Sequence, residues 1–211
     1  MKRVYFVRHG ETNGNLGGFW QGPEEPLNEK GRHQANVVAT RAQNIDIDRL
    51  LSSTMTRAQQ TAETISSATK LEIEFFDLFR EQKDPTCVLG DNKGGEKDEI
   101  IERCTQERRE HYMDPVWHFD DEENPTEFIA RVREAMNFLS RRSEENIMVV
   151  SHGNFIRYFA GLVIVGEANP IEAAKRFKSS FTTSNTGITI CTFEDGVWSL
   201  LTWNDHAHFA E

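Results

Sequence analysis

Three short stretches of this sequence place arginine or histidine directly after a run of apolar residues. They are Arg8-His9-Gly10 after Val7, Ser52 to Arg57 after Leu51, and Ser151-His152-Gly153 after Val150. A guanidinium group binds two phosphate oxygens at once, and an imidazole serves as a nucleophile. The sequence has no glycine-rich phosphate loop, and no paired carboxylates or Cys/His cluster to hold a metal. These residues therefore predict metal-free phosphoryl transfer, in which a histidine carries the phosphoryl group.

The apolar residues around these stretches predict strands that alternate with helices. The predicted strands include 4–7, 47–53 and 146–151, and the predicted helices include 31–43, a segment from about Thr56 and the segment that begins at "SHGNF". This alternation indicates an α/β fold, a three-layer α/β/α sandwich with a mostly parallel central sheet. Ligands bind beyond the carboxyl ends of such strands, so we expect both histidines and both arginines at one edge. The backbone N–H groups at "SHGNF" would also favour an anion there.

Other segments continue the same pattern. Residues 73–79 ("IEFFDLF") are strand-like or extended, and "TGITICTF" followed by "VWSLLTW" predicts a closing hairpin. Asn124, Pro125 and Glu127 are typical of a helix start, with a capping residue, a proline and an acid in the expected order. A long helix is therefore predicted after Asn124.

One region lacks clear periodicity. Residues 82–123 are rich in charge, glycine and proline, and we interpret about 85–123 as a lid-like insertion. A polar helix is predicted near 96–110, with Ile100, Ile101 and Cys104 facing inward. The chain as a whole, 1–211, is predicted to be a single domain that contains this insertion.

Composition limits the class of protein. The chain has 211 residues, of which 37% are hydrophobic and 10% aromatic, as in a globular protein. Its net charge of −10 disfavours nucleic acid or an anionic membrane as the main partner, so an anionic substrate requires a concentrated cationic pocket. Three separated cysteines form no CxxC pair. No apolar run approaches the ~20 residues that span a bilayer and none is typical of a signal segment, so a cytoplasmic protein is expected.

Three motifs carry a resemblance to a known family. "RHGETNGN", "TMTRAQQTAE" and "VVSHGNFIRYF" together resemble the signatures of the histidine phosphatase superfamily, which has the phosphoglycerate mutase-like fold and an RHG motif. The similarity covers nearly the whole chain, including "PTEFIARV" and "WSLLTWNDHAHF", except for about 85–123. The resemblance implies a metal-independent phosphomonoester phosphatase that works through a phosphohistidine on His9.

The resemblance also implies roles for individual residues. The phosphoryl group would bind to His9, the nucleophile, and to Arg8, Arg57, His152, Asn15, Gly153 and Asn154, whereas Gln21 and Gly22 would line the substrate side. Glu81 falls where the family has its acid/base carboxylate. The continuation "QKDPTCVLG" departs from the family's usual pattern, so Asp84 stays open as the alternative proton donor.

Other functions remain as alternatives. A cofactor-dependent phosphoglycerate mutase would need a bisphosphoglycerate primer, and Lys93 and Arg108-Arg109 in the insertion favour it. However, the insertion is shorter than in the mutases and lacks their glycine-rich opening, and exposure to solvent is the simpler expectation for both arginines. A non-catalytic protein-binding scaffold is a remote alternative, because His9 and both arginines are present. We therefore favour the phosphatase.

The expected partner is a small phosphorylated molecule, without a resident cofactor, a nucleic acid or a membrane, and a homodimer is left open. Two other segments have a structural and a functional interpretation. Trp117-His118-Phe119 would either contact an organic substrate or anchor the insertion on the core. His206 and His208 are expected to stabilise the C-terminal segment near the site rather than to bind a metal.

Overall fold

The computed structural model describes residues 1–90, 96–111, 114–166, 172, 176–177 and 179–209. Within these residues the strands are β1 (Lys2–Arg8), β2 (Arg49–Ser53), β3 (Ile73–Phe76), β4 (Asn146–Ser151), β5 (Ile188–Glu194) and β6 (Val197–Asp205). The α-helices are α1 (Asn13–Gly17), α2 (Glu29–Ala42), α3 (Thr56–Thr69), α4 (Glu96–Glu110), α5 (Pro125–Arg141) and α6 (Gly153–Val165). Lys93, which was considered for a mutase, lies outside the described residues.

The strands form one mixed sheet in the order β3-β2-β4-β1-β5-β6. Strands β1 to β4 pair in parallel, whereas β5 is antiparallel to both β1 and β6. The mostly parallel sheet and the closing hairpin are thus confirmed. In register, Arg8 of β1 lies beside Ser151 of β4, and Ser52 of β2 lies beside Val150. The carboxyl ends of β1, β2 and β4 therefore meet at one edge, as predicted.

Helices cover both faces of the sheet, which confirms the three layers. Because alternate residues of a strand point to opposite faces, the neighbours Phe6 and Val7 enter different cores. Phe6 packs with Phe128 of α5 and Phe159 of α6, whereas Val7 packs with helices α2 and α3 through residues such as Ala62. The site residues at the end of β1 are thus supported from both sides.

Two predicted elements have different ends in the structure. Strand β3 stops at Phe76, and a single 3-10 turn follows over Asp77–Phe79, so the extended segment is shorter than predicted. Helix α2 begins two residues before the predicted segment, because Asn28 caps it by accepting the N–H of Gly31 at 2.7 Å. The start of α5 agrees with the prediction, since Asn124 and Glu127 form a capping box.

Two glycines bring the loop after β1 against helix α2. A Cβ on Gly10 would lie 2.4 Å from the main-chain oxygen of Gly31, and one on Gly31 would lie 2.0 Å from that of Glu11. Only hydrogen fits at either position. The loop that carries His9 therefore lies directly on α2.

The insertion forms a small cluster of its own. Helix α4 occupies the predicted range, and Cys104 is buried with Val88 and Phe119, against which Trp20 and Trp117 pack. These contacts favour the anchor interpretation of the Trp117–Phe119 segment, although the anchor is the cluster around Trp20 rather than the central core. The single-domain organisation stays a prediction.

The expectation for Arg108 is wrong. Its side chain is half-buried and forms ion pairs with Glu122 and with Asp84, the latter at 3.2 Å. Its guanidinium lies 4.3 Å from the centre of the Trp20 ring, a distance typical of a cation–π contact. Arg109 is exposed, as expected. Arg108 therefore joins α4 to the loop before α2.

Among the described residues, no helix is long and apolar enough to cross a membrane.

Candidate active site

His9 lies just beyond the end of β1 and is almost completely buried, at 3% exposure. Its Nδ1 lies 2.7 Å from the main-chain oxygen of Gly10. A carbonyl oxygen only accepts, so Nδ1 carries the proton and Nε2 carries the lone pair. Nε2 accepts from Nε of Arg57 at 3.3 Å. Burial, and then the charges of Arg57 and Arg8, lower the pKa of His9 well below its usual range. The ring is therefore neutral at pH 7, as a nucleophile must be.

His152 is completely buried beside His9, with the two ring centres 5.1 Å apart. Its Nε2 lies 2.8 Å from Oγ of Ser53, which itself accepts the N–H of Met55. Among the described residues this hydroxyl has no other acceptor for its proton, so Ser53 donates to Nε2 and the proton of the neutral ring is on Nδ1. Burial, followed by the charge of Arg57, lowers the pKa of His152 well below its usual range. Nδ1 is buried and has no hydrogen-bond partner among the described residues, so it is a donor without an acceptor.

The two predicted arginines reach His9 from different elements. Arg57, in the first turn of α3, also donates from Nη1 to the oxygen of Gly22 at 3.0 Å. Arg8 ends β1 and donates from Nη1 to the oxygen of Thr183 at 2.5 Å. Nε of Arg8 is buried without a partner among the described residues, and burial lowers the pKa of Arg8 to about 10. Both arginines are thus cations at pH 7.

Glu81 occupies the N-terminus of α6. Its Oε2 accepts the N–H of Asn154 at 3.0 Å, and its Oε1 accepts the N–H of Phe155 at 3.2 Å. The sequence predicted an anion at these N–H groups, and in the structure that anion is the carboxylate of Glu81. Arg131 holds the chain around it, because its Nη2 donates to the main-chain oxygen of Glu81 at 3.2 Å.

The remaining predicted residues fall into two groups. Asn15, Gln21, Gly153 and Asn154 line the same cavity as Arg8 and His9, whereas Gly22 contributes the carbonyl oxygen that holds Arg57. The backbone N–H of Asn154 is already bonded to Glu81. The geometry therefore brings all the predicted site residues together, and their roles stay predictions.

The cavity has a volume of about 460 Å³ and a cationic lining. Its charged residues are Arg8, Arg57, Arg80, Lys83 and Arg157, against Glu81 and Asp84. This is the concentrated positive site that an acidic chain needs in order to bind an anion. Asp84 points to the insertion through its contact with Arg108.

Sequence reasoning missed several residues in or next to this cavity, among them Arg80 and Lys83. Arg157 and Thr183 line it, and Asn185 donates to the main-chain oxygen of His9 at 3.0 Å. Arg157 had a signal, since it is the only charged residue of the apolar helix α6. Thr183 and Asn185 lie in a polar segment with no motif. Of the two C-terminal histidines, His208 contacts Arg41 and Thr186. The described residues contain no group of three or more His, Cys, Asp or Glu side chains that could hold a metal.

The buried histidines predict that stability falls in mild acid. The folded pKa values of His9 and His152 lie well below the ~6.5 of an unfolded histidine, so unfolding takes up protons below pH about 6.5. Stability is therefore complete above this pH and falls as the pH drops, by roughly 1.4 kcal/mol per pH unit for each histidine. His208, whose pKa burial lowers to about 4, acts in the same direction.

Urea unfolding at pH 7.5, 6.0 and 5.0 measures this fall. His152→Gln should reduce the slope of free energy against pH by about one proton. The exposed His33 provides the matched control, His33→Gln. Equal stability of the unmodified protein at pH 7.5 and 5.0 would contradict the prediction.

The fold and this site define an α/β protein in which His9 and two arginines line one cationic cavity, with His152 buried directly beside His9. The family model of the histidine phosphatase superfamily (branch 1) matches residues 4–206. The chain belongs to this superfamily.

The similar proteins include some named as phosphatases and others named as phosphoglycerate mutases. The chain is similar to Probable phosphatase C1687.21 of Schizosaccharomyces pombe, with 27% identity over 209 residues that cover 98% of this chain and 94% of the relative. It is 44% identical to Probable phosphoglycerate mutase GpmB of Escherichia coli (strain K12 / DH10B), but over only 82 residues and 38% of either chain. The solved alpha-ribazole phosphatase of Shigella flexneri has the same fold, with a TM-score of 0.78, 23% identity and 96% of each chain covered.

Proposed function

We propose that this protein is a phosphomonoester phosphatase that transfers the phosphoryl group first to Nε2 of His9 and then to water. The observation that carries the proposal is the state of His9. It is buried and neutral, its Nδ1 proton is bound by Gly10, and its Nε2 lone pair lies beside Arg57 at the cationic cavity. Membership of the superfamily and the full-length similarity to a phosphatase-named relative support the same function.

The proposed reaction has two steps. Glu81 first takes up a proton from solvent. Nε2 of His9 then attacks phosphorus, the bond from phosphorus to the ester oxygen breaks, and the protonated Glu81 gives its proton to the departing alkoxide. Water then attacks the phosphohistidine, Glu81 takes a proton from this water, and inorganic phosphate leaves with the His9 ring restored. Arg8 and Arg57 balance the charge on the phosphoryl oxygens throughout.

His152 and Asn15 are proposed to hold further phosphoryl oxygens. Nδ1 of His152, which carries a proton and has no partner among the described residues, supplies one donor. Such a donor is already oriented before the substrate binds, so it costs no reorganisation during the reaction. The substrate proposed is a small phosphorylated molecule rather than a nucleic acid, which agrees with the net charge of −10.

Metal independence is part of this proposal and has a direct test. We expect purified protein to hydrolyse p-nitrophenyl phosphate at the same rate before and after dialysis against a chelator. The reason is that the arginines and His152 supply the charge stabilisation that a metal would otherwise provide. A rate that falls more than tenfold after chelation and returns with Mg²⁺ or Zn²⁺ would contradict it.

A phosphoglycerate mutase is the second candidate. The 44% identity to the GpmB relative over 82 residues favours it. Against it, Arg108 is engaged with Glu122, Asp84 and Trp20 rather than free for a second anionic group of the substrate. Conversion of 3-phosphoglycerate that depends on catalytic amounts of 2,3-bisphosphoglycerate, and that exceeds phosphate release, would decide for the mutase.

A further inference from the structure

Asn185 contacts two residues of the candidate site, although no sequence motif points to it. Its side-chain nitrogen Nδ2 lies 3.0 Å from the main-chain oxygen of His9 and 3.1 Å from Oδ1 of Asn15. A primary amide has two N–H donors, and both are used here. Asn185 therefore joins the residue that would attack phosphorus to the residue expected to bind the phosphoryl oxygens.

The contacts of Asn15 decide which end of its own amide faces the cavity. Its Oδ1 accepts from Nδ2 of Asn185 and from the backbone N–H of Thr12, the latter at 3.2 Å. A carbonyl oxygen has two lone pairs, so both are occupied. The Nδ2 group is the end that remains for the cavity, which Asn15 lines together with His9. An N–H donor is what a phosphoryl oxygen requires.

The residue after Asn185 in this turn, Thr186, has a backbone conformation that is unfavourable for threonine. Thr186 has a φ of 57°, in the left-handed region that β-branched residues rarely adopt. Its N–H donates to the main-chain oxygen of Arg8 at 2.9 Å, and the N–H of Arg8 donates to Gly187 at 3.2 Å. These bonds attach the turn to the end of β1. Strain of this kind persists where the surroundings over-determine it, and it clusters at functional sites.

We infer that Asn185 is a positioning residue for the proposed phosphoryl transfer. By donating to Oδ1 of Asn15 it turns the Nδ2 donor of Asn15 towards the phosphoryl group, and by donating to the oxygen of His9 it holds the main chain of the nucleophile. This inference rests on the proposed function for its role in turnover. The orientation of Asn15, however, is measurable from phosphate affinity alone.

Asn185→Asp is the sharpest variant, because it keeps the shape of the side chain and removes both donors. The introduced carboxylate would face two acceptor oxygens, and Asn15 relieves the repulsion only by turning its own N–H group away from the cavity. We expect the dissociation constant of inorganic phosphate, measured by calorimetry on the full chain, to rise 10- to 100-fold, as for the loss of one donor to a charged group. The KM for p-nitrophenyl phosphate should rise by a similar factor.

A double-variant cycle shows whether Asn185 acts through Asn15. In an Asn15→Ala background, Asn185→Asp should weaken phosphate binding less than threefold, because the donor that it misplaces is already absent. Equal losses in both backgrounds would overturn the inference. The matched control is Ser184→Ala in the same turn, whose hydroxyl contacts Asn204 at 3.3 Å. It should leave phosphate affinity within twofold.

Asn15→Asp tests the same orientation without changing Asn185, and it decides the question if Asn185→Asp does not fold. The new carboxylate still accepts from Thr12 and Asn185, but it presents an oxygen to the cavity. We expect a melting temperature within a few degrees of the unmodified protein and at least a tenfold loss of phosphate affinity. Unchanged affinity would overturn the inference. Hydrolysis of p-nitrophenyl phosphate by the unmodified protein is measured in parallel, since phosphate binding without hydrolysis would overturn the proposed function alone.

Discussion

His9→Ala should lose turnover of p-nitrophenyl phosphate by about 10⁴-fold or more, because it removes the atom that accepts the phosphoryl group. The other buried histidine does not replace it, since Nε2 of His152 is bonded to Ser53 and its Nδ1 carries the proton. A phosphatase without its nucleophile retains only the charge stabilisation of the arginines. Steady-state kinetics at pH 6 to 8 measures the loss.

Trapping the covalent intermediate makes this prediction specific to His9. The unmodified protein, quenched during turnover of a ³²P-labelled substrate, should carry label that is lost in acid and kept in base, as a phosphorus–nitrogen bond requires. His9→Ala should carry none. His33→Ala, at an exposed histidine of helix α2, is the matched control and should label normally. If His9→Ala kept an activity within tenfold of the unmodified protein, or labelled normally, the phosphohistidine mechanism would be contradicted.

The meeting of His9, Arg57 and His152 was predictable because it depends on two local patterns. Short β-branched runs mark the strands, and the parallel arrangement implied by alternating helices puts their carboxyl ends at one edge. The structure confirms this through the register of β1, β2 and β4. The sequence shows that each of these residues follows the end of a strand, and the parallel pairing of the strands then brings the residues close together in space.

Glu81 was predictable only by resemblance, because its environment is not local. The residue follows a 3-10 turn, and its partners are N–H groups of Asn154 and Phe155, more than 70 positions later. In the structure, His152, the N-cap of α6, provides no side-chain cap. The sequence indicates only that the N–H groups at the start of this helix favour an anion. It does not show that a carboxylate from elsewhere in the chain supplies that anion.

Arg108 and Asn185 show two further limits of sequence patterns. On its helix, Arg108 has the charged neighbours of a solvated face, and only the tertiary contact with Trp20 and Glu122 explains its burial. Asn185 lies in a turn, where asparagine is ordinary. Its contacts with His9 and Asn15 arise because the turn is hydrogen-bonded to the end of β1, and no sequence pattern predicts this bonding.

Glu81→Gln should slow the enzyme by about 10²–10⁴-fold on alkyl phosphates, the usual contribution of a general acid. An alkoxide is a poor leaving group without a proton, so the first step would fail and no phosphohistidine would accumulate. Glutamine keeps the shape of the side chain and one acceptor oxygen for the N-terminus of α6. A loss of activity with an unchanged melting temperature would therefore reflect the missing proton rather than a disturbed helix.

The same variant should behave differently with p-nitrophenyl phosphate, whose phenolate leaves without a proton. The first step then proceeds, whereas hydrolysis of the phosphohistidine still lacks its base, so Glu81→Gln should show a burst of one nitrophenolate per protein and then a slow phase. Rapid-mixing kinetics with both substrates separates the steps. Asp84→Asn is the matched control: its carboxylate lines the cavity but pairs with Arg108. If Asp84→Asn produced the burst and Glu81→Gln did not, the proton donor would be Asp84, and the carboxylate on helix α6 would serve only to cap it.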